Sequence, residues 1–324
     1  MMNGVIVMDL ERKHDAVAII GAGAVGATTA YALMNAGTTS EIILIDEDRG
    51  KALGEVMDLN HGGSFVPPVM VREGSYEDCA EASVVIVTAG VRQQPGEKRF
   101  ELLKRNLEVI NEIIPKITAN NKECIILMVT NPVDALTYAA LKTSGFPAER
   151  IIGSGTLLDT ARFRFLLSLH CRVAVQNVHA YIIGEHGDSE VAAWSATNVA
   201  GMPFELFCQG CPCGCTLADK DEIFQSVKNA AYEIIEKKGS TSYAIGLAVR
   251  QIVRAILRNE RVILSVSTLM QGQYGVSDIC VSLPSVVDAK GVARVLEMPL
   301  NEEESEAFGA SAEVIKANLD KLGF

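Results

Sequence analysis

The sequence predicts an α/β protein, a doubly wound parallel sheet followed by a mixed second half. Four short apolar runs carry the first part of that reading: AVAII (16–20), EIILID (41–46), SVVIVTAG (83–90) and ECIILMVTN (123–131). They are apolar almost throughout instead of alternating, as parallel strands covered on both faces must be. Helical stretches separate them, among them ATTAYALMNAG (27–37) and LLKRNLEVINEIIPKI (102–117), so each strand can return by a crossover. The rhythm changes after about residue 152, and 324 residues is the length of two domains.

In the second part a helix over LLDTARFRFLLSLH (157–170) leads into strand-like VHAYIIG (178–184), and one long helical stretch covers about 219–258. Strands over VILSVSTLM (262–270) and DICVSLPSVVD (278–288) follow, and a last helix covers 302–322. No linker, repeat or low-complexity tract divides the two parts, 15–152 and 153–324, so they are expected to share a broad interface.

Hydrophobic residues make up 48% and charged residues 21%, which excludes a disordered or fibrous chain. The net charge of −11 argues against nucleic acid or an anionic membrane as main partner, because both select basic surfaces. An anionic ligand must therefore be held by a few well-placed cations. The opening MMNGVIVMDLERKHD has no basic residue ahead of its apolar run, and no stretch has the length of a membrane span. A cytoplasmic location is expected. Among the cysteines, Cys208, Cys211, Cys213 and Cys215 crowd one segment whose spacing is tighter than that of structural zinc sites. Free or redox-active thiols are expected there, and no metal.

Gly21, Gly23 and Gly26 spell GAGAVG between the first strand and the first helix. Gly21 permits a tight turn, Gly23 lets the backbone approach a pyrophosphate, and Gly26 allows close packing of helix on strand. The helix N-terminus then faces the phosphates. Asp46 ends the next strand, 20 residues beyond Gly26, where a carboxylate accepts hydrogen bonds from the adenosine ribose. Its negative charge would repel a 2′-phosphate, so NAD is expected over NADP.

Five segments place polar residues where strands end or helices begin: TAGVRQQPGEKR (88–99), TNPVD (130–134), LLDTAR (157–162), GEHGDS (184–189) and KGSTSYAIG (238–246). Hydride transfer to a ketone needs a proton donor, and His186 in its glycine-flanked turn suits neutral pH. A carboxylate such as Asp159 would fix the imidazole tautomer and favour the imidazolium. Arg162, three residues on and on the same helix face, has the planar fork that a substrate carboxylate wants.

Taken together, from about residue 15 to the C-terminus, these motifs resemble the L-lactate dehydrogenases of the lactate/malate dehydrogenase superfamily, of the bacterial, fructose 1,6-bisphosphate-activated type. The resemblance implies a Rossmann NAD domain joined to an α+β substrate domain, and reversible hydride transfer between NADH and pyruvate giving L-lactate. It implies that His186 donates and accepts the proton, with Asp159 its partner and Arg162 the carboxylate clamp. Arg99 would ride on a mobile loop over 92–105 and polarise the substrate carbonyl. Asn131 would contact both cofactor and substrate, and Thr241 would line the pocket. Val25, Lys51, Tyr76, Gly90 and Ser154 match further cofactor-contacting positions. Gln93 stands where malate-specific relatives carry an arginine for the second carboxylate. An unpaired buried carboxylate costs about 3–5 kcal/mol, roughly two to four decades of discrimination. Malate dehydrogenase and a broader L-2-hydroxy acid dehydrogenase are the alternatives. Arg164 and His179 match the pair that binds fructose 1,6-bisphosphate across a two-fold axis, which implies a homotetramer.

Overall fold

Alternate residues along each apolar strand face opposite ways, and both faces find a cover. The computed structural model describes residues 15–92, 96–209 and 216–324. Its first part runs β1 (Ala16–Ile20), α1 (Ala24–Asn35), β2 (Glu41–Ile45), α2 (Arg49–His61), β3 (Met70–Glu73), β4 (Ala82–Val87), α3 (Arg99–Asn120), β5 (Ile125–Met128), α4 (Val133–Ser144) and β6 (Ile151–Gly153). These strands pair in parallel in the order β3-β2-β1-β4-β5-β6. That is the doubly wound Rossmann order, and it reverses between β1 and β4, where a crevice opens at the carboxyl ends of the strands.

Ile43, Val85 and Ile126 point to one face, against Ile110 and Ile114 of α3 and Leu136 of α4. Their neighbours Ile42, Val84 and Ile125 point to the other, against Leu33 of α1. Each such buried side chain contributes about 1.5–3 kcal/mol, so burial on two faces explains why β2, β4 and β5 are apolar apart from Glu41 and Ser83 near their starts.

The second part runs α5 (Leu157–Cys171), β7 (Val178–His179), β8 (Ile182–Ile183), β9 (Val191–Ala192), β10 (Asn198–Val199), β11 (Met202–Pro203), α6 (Phe204–Gln209), α7 (Leu217–Lys238), α8 (Tyr243–Leu257), β12 (Val262–Gln271), β13 (Ser277–Asp288), β14 (Gly291–Val295) and α9 (Glu302–Asp320). β12, β13 and β14 form an antiparallel meander that adds to the sheet beside β6. α8 returns to the first part, its Val249 and Ile252 packed in the same cluster as Leu33 of α1. Gly246 permits that approach, since a Cβ there would lie 2.9 Å from Thr28. A separate core gathers Phe163 and Leu167 of α5 with Phe204 of α6. Trp194 stands edge-on to Phe163 there, at 4.8 Å between ring centres.

Two expectations are corrected. The stretch 219–258 is two helices, because Gly239 closes α7 in the left-handed region (φ +85) and its N–H donates to the Ile235 carbonyl at 2.8 Å. The segment 92–105 is not all loop, because α3 begins at Arg99, with Lys98 as its extended N-cap. No described helix is long and apolar enough to cross a membrane.

Candidate active site

Where β1 ends, the chain turns at Gly21 into α1. Gly21 has φ +106, and a Cβ on it would lie 2.6 Å from the Ala89 nitrogen. Gly26 is more constrained still, since its Cβ would fall 1.8 Å from the Gly21 carbonyl oxygen. Gly23 is the opposite case: its Cβ position is open, with Lys51 Nζ nearest at 4.0 Å. No side chain caps α1, which leaves its first N–H groups to an anion. An open glycine beside a bare helix N-terminus fits a dinucleotide pyrophosphate. Asp46 Oδ2 accepts the Ala22 N–H at 2.6 Å and lies 3.8 Å from Lys51 Nζ. Expected at the ribose, that carboxylate also braces the glycine turn.

The other expected cofactor positions lie along the same edge. Val25 is the half-buried second residue of α1, and Gly90 follows β4, where a Cβ would strike Thr130 at 2.4 Å. Thr130 Oγ1 donates to the Ala89 carbonyl at 2.7 Å, which ties the TAG and TNP segments together. Ser154 is buried, with its N–H on the Met128 carbonyl at 2.8 Å. Tyr76 lies under Lys116 Nζ, 5.1 Å from its ring centre, and its hydroxyl is pushed up to about 12, chiefly by burial. Asn131 is exposed, with its carbonyl accepting from Asn106 Nδ2 at 2.7 Å.

Beside this crevice the turn after β8 carries His186. Its Nδ1 is 2.5 Å from Asp159 Oδ2, and Asp159 Oδ1 accepts from Arg162 Nη1 at 2.7 Å. The Asp159 side chain is only 3% exposed, while that of His186 is 22% exposed and open to a small molecule. Burial opposes charge on the imidazole, but the Asp159 carboxylate outweighs it and raises His186 to about 9. Burial alone would raise the Asp159 carboxyl, yet His186 and Arg162 hold it below the ordinary carboxylate range. The outcome is an imidazolium–carboxylate–guanidinium row at neutral pH. Arg99 approaches from α3: its Nη1 lies 3.6 Å from Glu185 and 3.9 Å from Asp188, and its Nη2 donates to the His186 carbonyl at 3.4 Å. Gly187 makes room for it, since a Cβ there would lie 1.8 Å from Arg99 Nη1.

Thr241 is half-buried in the turn between α7 and α8 and makes no hydrogen bond among the described residues. Gln93 lies outside the described residues, as do Cys211, Cys213 and Cys215, while Cys208 is buried on α6. Arg164 turns away from Arg162: its Nε donates to the Ala180 carbonyl at 2.9 Å and its guanidinium lies 5.0 Å from the Tyr181 ring centre. His179, next to Ala180 in sequence, is exposed.

Two acids here escaped sequence reasoning. Glu190 is buried and brings a carboxylate oxygen to Asp159 and His186, the three groups lying within 4.8 Å of one another. Burial, reinforced by the Asp159 charge, pushes its carboxyl up. Such a trio could in principle surround a cation, but Asp159 is already committed to His186 and Arg162. Asp134 is the other, 2% exposed, with Oδ2 accepting the His186 N–H at 2.7 Å. Its sequence signal is that it is the single charge in the apolar stretch 130–141.

A glycine turn at a bare helix N-terminus, together with a histidine–aspartate–arginine row, is the set of parts a nicotinamide-dependent dehydrogenase uses. Residues 15–153 match the lactate/malate dehydrogenase NAD-binding domain and residues 156–323 the lactate/malate dehydrogenase α/β C-terminal domain. The chain belongs to the lactate/malate dehydrogenase family, and its cofactor is NAD. It is 55% identical over 306 residues to the L-lactate dehydrogenase of Acetivibrio thermocellus, covering 94% of this chain and 96% of that one. It is 50% identical over 311 residues to L-lactate dehydrogenase 1 of Clostridium acetobutylicum, covering 96% and 99%. The ligand-bound crystal structure of the minor L-lactate dehydrogenase of Enterococcus mundtii superposes with a TM-score of 0.92 at 42% identity, covering 96% of this chain and 99% of that one.

Proposed function

We propose that the chain reduces pyruvate to L-lactate, and that the observation carrying this is the His186–Asp159–Arg162 row. NADH, when bound, supplies the hydride. With Nδ1 committed to Asp159, Nε2 of His186 is the nitrogen left to protonate the developing alkoxide. Arg162 has one arm on Asp159 and presents the rest of its fork to the substrate carboxylate. Arg99, parked on Glu185 and Asp188, supplies a second cation for the carbonyl oxygen on closing. Gly21, Gly23, Val25, Gly26, Asp46, Lys51, Tyr76, Gly90, Asn131 and Ser154 form the cofactor side, within a first domain ending near residue 152. Gln93, a neutral amide at the position where malate-specific relatives carry an arginine, selects pyruvate over oxaloacetate.

Two finer points belong to the same reading. Arg164 and His179 bind fructose 1,6-bisphosphate at a two-fold axis of a homotetramer. The solvent-exposed apolar side chains Phe165 and Leu169 on α5, and Tyr243 and Leu247 on α8, support subunit association. The free buried thiols of Cys79, Cys124 and Cys280 suit a cytoplasmic enzyme. Steady-state NADH oxidation with pyruvate and with oxaloacetate, each with and without the bisphosphate, tests all of this. Pyruvate should be preferred by at least about 100-fold in kcat/KM, as a misplaced carboxylate implies. The bisphosphate should lower the pyruvate KM. A preference for oxaloacetate would overturn the substrate, and superimposable curves would remove the effector.

A further inference from the structure

An acid in the first turn of a helix ordinarily serves that helix, either as a cap or by meeting its dipole. Asp134, the second residue of α4, does not cap its helix, for both its oxygens accept hydrogen bonds from other elements. Oδ2 accepts the backbone N–H of His186, 52 residues away, at 2.7 Å. Oδ1 accepts from Ser282 Oγ on β13 at 3.2 Å. Ser282 in turn exchanges both backbone hydrogen bonds with Gly184, at 3.0 and 3.1 Å, and its Oγ accepts the Thr156 N–H at 3.2 Å. The histidine turn is thus suspended from β13 at Gly184 and from α4 at His186. The same short segment, TNPVD, carries Asn131 on the cofactor side.

Burying a carboxylate is costly unless its hydrogen bonds require it, and burial pushes the Asp134 carboxyl up to about 6. Above that pH it places a negative charge behind the imidazole. Among the described residues, the charged and titratable groups around His186 and Asp134 include Asp159 and Arg162 from α5, Arg99 from α3, Glu185, Asp188 and Glu190 from the histidine's own segment, Lys228 of α7 acting on Glu190, and Cys280 of β13 beside Asp134. Asp159 holds the ring nitrogen, and Asp134 alone among the acids holds the backbone nitrogen of that residue.

We propose that Asp134 is a positioning residue for the proton donor. It acts through His186 and not on substrate, fixing the turn that aims the ring and adding a charge that favours the imidazolium. This rests on the assignment of His186 as proton donor.

The test uses the full chain with Asp134→Asn, Asp134→Ala, Ser282→Ala and His186→Ala as reference. Asn keeps an oxygen acceptor but loses the charge, so kcat with pyruvate should fall about tenfold. Ala removes the acceptor too, and a misplaced reacting group implies a loss of about 100-fold. In both variants the basic limb of kcat/KM against pH should move to lower pH, while NADH binding, read by nucleotide fluorescence, and pyruvate KM stay close to the parent. Ser282→Ala should show a smaller loss in the same direction, and it carries the test with Asp134→Asn if the alanine variant does not fold. A parental pH profile and kcat in Asp134→Asn, beside an inactive His186→Ala, would overturn this proposal alone. Loss of NADH binding in step with kcat would make Asp134 merely structural and overturn it as well. Turnover retained by His186→Ala would overturn both it and the assignment beneath it.

Discussion

At the turn between β1 and α1 the molecule works with backbone and with the absence of side chains. At the turn after β8 it works with buried charge. The glycine turn is held chiefly through backbone: Gly26 sits against the Gly21 carbonyl, Asp46 accepts the Ala22 N–H, and Gly23 leaves a gap open to a ligand. The histidine turn needs groups from α3, α4, α5 and β13 at once. The difference teaches that a turn suited to a phosphate is built chiefly from backbone groups, whereas a shifted pKa is assembled from side chains of several segments. A charge is held in a low-dielectric site only when several elements pair it. In a chain of net charge −11, the cations of the proposed site stand on α3 and α5, each paired with an acid.

If the two turns are separable in this way, substitutions in one should leave the other intact. His186→Ala should cost the most, about a thousandfold or more in kcat with pyruvate, with NADH affinity nearly unchanged by fluorescence titration. A matching loss of NADH affinity would break the separation. Arg162→Lys keeps the charge but loses the fork, so kcat/KM for pyruvate should fall about 10- to 100-fold, chiefly through KM. An unaltered KM would place the carboxylate elsewhere. Gly26→Ala strikes the other turn: its methyl would lie 1.8 Å from the Gly21 oxygen, and the backbone must shift to admit it. A cost of about 1–3 kcal/mol should appear as weaker NADH binding and a lower melting temperature. The pH dependence of whatever activity remains should not change, since His186 and Asp159 are untouched.

The same contrast decides what could be read before the structure. The glycine turn was legible because its residues are close in sequence and each has a steric reason. Asp159 and Arg162 were legible because an i, i+3 spacing places them on one helix face, where they meet at 2.7 Å. His186 is nameable as a proton donor and Asp159 as a carboxylate suited to it, but their meeting across 27 residues is fixed only by the fold. Glu190 has no such signal, since a buried acid without a local partner looks no different in sequence from a solvated one, whereas Asp134 shows only as a lone charge in an apolar stretch. The helix break at Gly239 is only partly legible: KGSTSYAIG marks a helix start or kink, yet one glycine costs a helix only about 1 kcal/mol and the apolar rhythm continues on either side. Arg99 was assigned to a loop, whereas its helix starts there and brings the guanidinium to Glu185 and Asp188.

The most direct test is the pH profile of kcat/KM for pyruvate reduction, which reports the free enzyme's proton donor. Asp159 raises His186 from its ordinary 6.5 to about 9, so activity that needs the imidazolium should hold through neutral pH and be lost as pH rises through about 9. Lactate oxidation, which needs the neutral imidazole, should rise over the same interval. A descending limb near 6.5 for pyruvate, or none at all, would contradict an imidazolium held by Asp159.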